Sequence, residues 1–262
     1  MKKQLFHSVT VAFLLTAILP VHAQTFVDYR EIFPRPTGAS GPASMADYGW
    51  FAHRGPDATQ ITAHTTTSGS PQWAVSAGTG RPDNLAAVNS NPPNDGEALG
   101  FAFFYANATE GSPVLLWTNE HSTDLVMVQQ FDWWQGNQTG TDGFRLAIQV
   151  GTDWYVSAQN NTQSAGVSTF STQAEQMTQL MAGSSWNTLN FTSGSTLSMG
   201  TAALLPETGT ISAFGLFAET HTQNTSLRFD TFTVTAIPEP STVVLLGIAL
   251  ISAFALKRRH SA

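Results

Sequence analysis

The chain of 262 residues contains no cysteine. Disulfides, thiolate nucleophiles and thiolate metal sites are therefore excluded, and the fold must hold by packing alone. Lysine is nearly absent too: Lys2, Lys3 and Lys257 are the whole supply, and all lie at the extreme ends. Between the ends, from Gln24 to Ala236, the only cations are Arg30, Arg35, Arg54, Arg81, Arg145 and Arg228, set against seventeen acids for a formal charge of −11. A body so acidic is repelled by nucleic acid, and it has no basic patch for anionic lipid. Charged residues make up 11% of the chain, less than half of the usual ~25%. Surface polarity must come instead from Ser, Thr, Asn and Gln. Such a surface is neutral and hydrogen-bonding, and compatible with glycans.

What the sequence does have is two apolar ends with cationic flanks. Lys2 and Lys3 precede a mostly apolar run, Leu5 to Leu19, which Pro20 breaks; Val21-His22-Ala23 then supplies small residues at −3 and −1. This is the pattern of a signal peptide spanning 1–23, cut by signal peptidase after Ala23, with a non-cleaved anchor as the alternative. At the other end, Pro238-Glu239-Pro240 precedes an uncharged run, Thr242 to Leu256, and then Lys257-Arg258-Arg259. The two prolines end any preceding strand and form a rigid spacer. The apolar run is 15 residues, short of the roughly 20 of a comfortable membrane helix. The basic cluster behind it favours the cytoplasmic side and leaves the body outside the inner membrane. The alternative is a buried C-terminal helix, but a helix apolar on all faces needs a large core around it.

Triplet, apolar run and basic stop, in that order, resemble the PEP-CTERM sorting signal of Gram-negative bacteria. The resemblance covers only the tail, about a tenth of the chain. It implies recognition at Pro238, Glu239 and Pro240 by an exosortase, with Lys257, Arg258 and Arg259 as the stop. It also implies export, a transient hold in the inner membrane, and delivery to the cell surface or extracellular matrix. A GPI signal ends apolar, so the terminal basic cluster argues against that reading.

The body, 24–236, is long enough for one sizeable core. Gly143 to Val150 alternates strictly, with Phe144, Leu146, Ile148 and Val150 on one face, and Gly151-Thr152-Asp153 turns it into Trp154 to Ala158. Further strands are expected at 59–64, 99–106, 114–117, 125–131, 186–191, 210–219 and 226–235, where aromatic and β-branched residues collect. One segment breaks the pattern. Thr172-Gln173-Ala174-Glu175 reads as a capping box, followed by Ala174, Met177, Leu180 and Met181 at helical spacing and a stop at Gly183. One amphipathic helix of about ten residues is expected there, packed on an open end or edge of the sheets.

Many short strands with Gly/Pro turns, no internal repeat and little helix predict a two-sheet antiparallel β-sandwich. The closing segments, Gly209 to Glu219 and Ser226 to Val234, resemble the last two strands of concanavalin A-like or laminin-G-like jelly-roll domains. That resemblance implies a jelly roll. It also implies a structural Ca²⁺ held by Asp230, with Asp28 or Asp47 as partners, although Ca²⁺ needs about six to eight oxygens.

Catalytic patterns are missing. No Glu-x-Asp-x-Glu places two carboxylates across a glycosidic bond; Glu97, Glu110 and Glu120 are scattered. There is no Gly-x-Ser-x-Gly or His-Glu-x-x-His, and His53, His64, His121 and His221 are dispersed singles that read as surface or hydrogen-bonded residues. The most suggestive cluster is Asp132-Trp133-Trp134-Gln135. Adjacent tryptophans on a strand point to opposite faces; either one is exposed and stacks on a sugar, or both are core. Trp50 and Trp154 read as core. The expected function is that of a non-catalytic surface or matrix protein. The alternative is a carbohydrate-binding module using Trp133, Trp134 and Asp132; a glycoside hydrolase-like enzyme is third. Expected partners are signal peptidase, exosortase and extracellular polysaccharide, with no cofactor.

Overall fold

Alternation carries the architecture. The structure, a computed structural model, describes residues 25–33, 43–61, 72–76, 101–105, 112–137, 143–162, 171–181, 185–220 and 226–238. The early strands are β1 (Phe26–Glu31), β2 (Ala43–Ser44), β3 (Trp50–Arg54), β4 (Thr59–Ile61), β5 (Gln72–Ser76) and β6 (Phe101–Tyr105). The middle of the chain gives β7 (Val114–Thr118), β8 (Thr123–Asp124), β9 (Val128–Asn137), β10 (Gly143–Val150), β11 (Asp153–Ser157) and β12 (Asn161–Thr162). The last are β13 (Ser171–Gln176), β14 (Trp186–Thr192), β15 (Thr196–Ala203), β16 (Thr210–Ala218) and β17 (Ser226–Ala236), with one helical turn, α1 (Met177–Leu180), between β13 and β14. The body, Val27–Ala236, is one compact unit.

Two antiparallel sheets result. The first runs β13-β9-β17-β6-β5-β2, with β1 also on β17. The second runs β15-β14-β11-β10-β16-β7-β3-β4, with β12 on β10 and β8 on β16. The expected hairpin of β10 and β11 forms, pairing Val150 with Asp153 and Ala147 with Val156. Phe144, Leu146 and Ile148 are fully buried and join one core with Phe131, Trp133, Phe229 and Phe232 of the first sheet. Trp50 packs on Phe229 at 5.0 Å between ring centres, and Phe214 stacks on Phe232 at 5.6 Å. Each such ring removes roughly 150–250 Å² from water, worth about 4–6 kcal/mol as an upper estimate.

A second core lies on the other face of the second sheet, built from Leu115, Ala147, Trp154, Val156, Leu189, Leu197 and Phe217. It is closed by curling. The turn of the β14–β15 hairpin reaches the β3–β4 turn, where Gly194 N–H donates to the Ala58 carbonyl at 3.0 Å and Leu197 N–H to the Pro56 carbonyl at 2.9 Å. Gly215 of β16 lies beneath, where a Cβ would come within 2.0 Å of the Leu116 carbonyl oxygen.

The capping-box helix does not form. Residues 171–176 are strand β13, paired residue by residue with β9 from Ser171–Gln135 to Gln176–Gln130. The helix is four residues long, and its N-cap is Gln176, with no side-chain cap bond. Six residues of ladder on β9 outweigh one local cap, and Glu175 is turned into the space between the sheets. Met177 and Leu180 are buried as the apolar stripe required, but Met181 is 41% exposed. Among the described residues no helix is long and apolar enough to cross a membrane. The expected signal peptide, 1–23, and the apolar run with its basic stop, Lys257, Arg258 and Arg259, lie outside the described residues.

Candidate functional site

Strand alternation places Glu175 of β13 inward, level with Phe131 of β9. Its residue surface is 2% exposed. A carboxyl group in that position must find partners, and it finds them on the opposite sheet. Asn161 Nδ2 of β12 donates to Glu175 Oε1 at 2.6 Å. The Ser157 hydroxyl at the end of β11 lies 3.0 Å from the same oxygen and 3.1 Å from the Gln159 carbonyl oxygen, and its single proton serves one of them at a time.

The chain of bonds extends across the interlayer. Gln159 Nε2 donates to Asn161 Oδ1 at 2.7 Å, Gln135 Nε2 to the Asn161 carbonyl at 2.6 Å, and Trp133 Nε1 to Gln135 Oε1 at 3.1 Å. Glu175 Oε2 is buried and has no hydrogen-bond partner. Burial pushes the Glu175 carboxyl up to about 7; the bonds from Ser157 and Asn161, the Leu146 backbone N–H and the charge of Arg145 oppose the rise without cancelling it. Arg145 is itself engaged, with Nη1 donating to the carbonyls of Ser157 and Ala158 and Nη2 lying 3.5 Å from Glu219 Oε2.

Beside Glu175 opens a pocket of about 240 Å³, lined by Ala158, Gln159, Glu175, Gln176, Gln179, Leu180 and Ser185. Its walls are tied together by Ala158 N–H donating to the Ser185 carbonyl at 2.8 Å and Trp186 Nε1 donating to the Leu180 carbonyl at 2.9 Å. Among the described residues the lining carries one carboxyl, amides and a hydroxyl, and no cation. It can exchange hydrogen bonds with a neutral polar molecule. The two carboxylates of glycoside hydrolysis are not assembled in it.

The residues singled out in the sequence are placed elsewhere or apart. Trp133 and Trp134 are both buried, at 1% and 5% exposed. Of the two arrangements open for adjacent tryptophans, the structure has the one with neither on the surface. Trp133 belongs to the interlayer core. Asp132 precedes Trp133 on β9, on the opposite face, and accepts a bond from Gln130 Nε2; its carboxyl is raised by burial. Trp50 and Trp154 are core, as expected.

Asp230 is buried and accepts the Thr231 N–H at 2.8 Å, where β17 bulges and Thr231 takes φ 49°. Asp28 pairs instead with His121, at 2.9 Å, and Asp47 sits exposed on the turn Met45–Tyr48. No group of three or more His, Asp or Glu side chains suited to a metal occurs among the described residues. The calcium ligand set implied for Asp230 is therefore not gathered there. Glu97, Glu110, His64 and His221 lie outside the described residues.

His53 is fully engaged. Trp117 Nε1 donates to its Nδ1 at 3.1 Å, which leaves the ring proton on Nε2, 3.0 Å from Ser193 Oγ. Burial lowers the ring to about 4. His53 thereby pins the hairpin turn over the second core, the hydrogen-bonded role expected of a lone histidine.

At the C-terminus β17 ends at Ala236 and Pro238 is exposed; Glu239 and Pro240 lie outside the described residues. Residues 236–259 match the PEP-CTERM protein-sorting motif. The motif implies export and sorting to the cell surface. No curated protein matches the chain in sequence. Among solved structures, the body resembles the CBM22-1 xylan-binding domain from Paenibacillus barcinonensis Xyn10C, at 10% identity and a TM-score of 0.37 over 84% of this chain and 99% of that one. It also resembles a family 11 carbohydrate-binding module from Clostridium thermocellum in complex with a β-1,3-1,4-mixed-linked tetrasaccharide, at 10% identity and TM-score 0.39 over 76% and 97%. An arabinose-bound α-L-arabinofuranosidase matches at 8% identity and TM-score 0.41 over 80% of this chain, which spans about a quarter (27%) of the enzyme.

Proposed function

Starting from a chain that carries the PEP-CTERM sorting motif, we propose that this protein is a non-catalytic component of the cell surface or extracellular matrix of a Gram-negative bacterium. The signal peptide takes it through the inner membrane. The tail holds it there until an exosortase cuts near Pro240. One observation carries this reading: the motif spans residues 236–259 and begins where the last core strand ends, so cutting there removes no strand of the sandwich. Two features support the non-catalytic part. The pocket holds a single carboxyl, Glu175, and the other acids near the core are spent locally, Asp28 on His121 and Asp230 on Thr231 N–H.

The test is the C-terminus of the mature protein isolated from its host, read by mass spectrometry. The expected product ends near Pro240. Glu239→Ala should trap the full-length chain in the inner-membrane fraction. Mature surface protein still bearing Lys257 would refute the reading. A second reading, binding of extracellular polysaccharide, is favoured by the pocket at Glu175, whose neutral amide and hydroxyl lining suits sugar hydroxyls.

A further inference from the structure

We propose that the end of the sandwich carrying Val27 and Val126 rests on the lipid headgroups of the membrane while the sorting tail is in place. This rests on the export reading above and names the surface that the body meets under it. The end is one continuous piece of structure. Thr210 of β16 pairs with Asp124 of β8. The Gly209 and Thr210 carbonyls accept the N–H groups of Leu125 and Gly151, at 2.8 and 3.3 Å. These bonds gather the β8–β9 turn, the start of β16 and the β10–β11 turn. β17 finishes beside them, with Ala236 opposite Val128. β1 begins there too: Asp28 lies 2.9 Å from His121, whereas Phe33, just past the far end of β1, meets Phe229 in the first half of β17. Val27 and Ala236, where the body starts and stops, are thus at one end of it.

That end shows apolar side chains where water would be expected. Val27 is 57% exposed and Val126 58%. Val27 shares a face with Tyr29, which packs on Phe214, and its exposure marks the rim of the core. Val126 stands in a tight turn: Asp124 Oδ1 accepts its N–H at 3.2 Å, and the Asp124 carbonyl accepts the Met127 N–H at 3.0 Å. Such turns favour Gly, Asn, Asp, Ser and Pro, so a valine there is unusual. The opposite end, where Arg54 and Ala218 meet Val114, exposes Asp57 and Glu219 instead.

The length of chain that follows brings lipid to this end. Five residues, Ile237 to Ser241, separate Ala236 from the apolar run, and that spacer reaches about 20 Å at full stretch. A helix of 15 residues spans about 22 Å of a hydrocarbon layer of about 30 Å. With Lys257, Arg258 and Arg259 at the cytoplasmic face, the spacer must make up the missing ~8 Å and then cross roughly 5–8 Å of headgroups. No more than about 7 Å is left, less than the ~10 Å between packed sheets. The turns level with the end of β17 therefore stand at the headgroups. Asp28, Asp124 and Asp153 lie at the same end, so the contact is apolar and anionic lipid does not draw it in. Two valines are too little to hold a free body on a membrane. The tether supplies the rest, since a short linker gives an effective concentration of about millimolar.

The experiment exploits the absence of cysteine. Val27→Cys, Val126→Cys and Thr220→Cys, the last exposed at the opposite end, are each labelled with bimane in the mature full-length chain, 24–262. The proteins are placed in phosphatidylcholine nanodiscs with some lipid bearing a nitroxide on its headgroup. Quenching should be about threefold stronger at 27 and 126 than at 220, which is roughly 30 Å away along the nine residues of β16. Replacing half of the lipid by phosphatidylglycerol should weaken it, and cutting the chain at Pro240 should abolish it. Val126→Asp should weaken the quenching of a label at Thr152→Cys on the neighbouring turn, with the fold unchanged by near-ultraviolet circular dichroism. Equal quenching at 27, 126 and 220 in protein that stays in the disc would overturn the proposal and leave the export reading standing. So would no effect of Val126→Asp, or quenching that appears only when an exosortase shares the disc, which would put the enzyme on this end. A full-length chain that does not enter the disc would overturn the tail as an anchor, and the proposal with it.

Discussion

Replacing Glu175 by Gln should make this protein more stable at alkaline pH, by an amount the structure sets. In the folded protein the carboxyl is held at about 7, against an ordinary 4.5, chiefly because burial penalises its charge. A folded-state pKa above the unfolded one means that the full contribution to stability is present below about 4.5 and is lost as pH rises through 7. The separation of about 2.5 corresponds to about 3 kcal/mol once the group is ionised in both states. Glutamine has no such dependence, and its amide oxygen can still accept from Asn161 Nδ2 and Ser157 Oγ. Its amide nitrogen takes the place of the orphan Oε2 at a fixed cost, independent of pH. The observable is therefore a difference of differences. Urea unfolding of wild type and Glu175→Gln at pH 5 and pH 8 should show the gap moving in favour of the variant by about 2.5 kcal/mol. A gap that does not change between the two pH values would show that Glu175 is not buried as an isolated acid, and the argument would fail.

Three other outcomes follow from the same structure. His53 is lowered to about 4 from 6.5 by burial, so its contribution is present above 6.5 and is lost as pH falls through 4; unfolding midpoints should show an acid limb worth about 3 kcal/mol, flattened in His53→Gln. Gly215→Ala would push a Cβ to within 2.0 Å of the Leu116 carbonyl oxygen at the centre of the second sheet; thermal unfolding should show a loss of at least about 3 kcal/mol. Thr231 holds φ 49° in the β17 bulge, a conformation that strains a β-branched residue. Thr231→Gly should raise stability by about 0.5–1 kcal/mol, and a loss on chemical denaturation would mean that the bulge is not strained.

The fold class was legible in the chain because burial of a strand's face leaves a period of two. β10 was read to the residue, with Phe144, Leu146, Ile148 and Val150 inward, and β14, β16 and β17 were read within a residue or two. Among the longer strands, β1, β3, β5 and β15 escaped notice. β3 runs Trp-Phe-Ala-His-Arg and is buried on both faces, so it shows no alternation. β15 is a half-buried strand of mostly small residues, and its place depends on the curl that brings Leu197 to Pro56. Glu175 was misread for a related reason. Its spacing from Thr172 is that of a cap, and nothing nearby reveals that its partners stand 14 and 18 residues away on another sheet. The second core was equally invisible, since Trp117, Trp154 and Phe191 come from three strands. The sorting tail was readable because it is a linear signal, addressed to an enzyme rather than to the fold.

The position of β17 has a mechanical meaning. It is the longest strand, 11 residues, and it lies between β9 and β6 inside its sheet, with β1 paired to it as well. The sorting tail is the direct continuation of this strand. A pull on the tail, whether from the membrane or from whatever holds the cut end afterwards, runs along the strand axis. Its ladder with β9, from Leu227–Asn137 to Ala236–Val128, is then loaded all at once in shear, because the bonds lie across the direction of force rather than in line to be peeled one by one. On the proposed reading of the tail as a tether, a load on it would have to break the middle of the sheet before it could fray an edge.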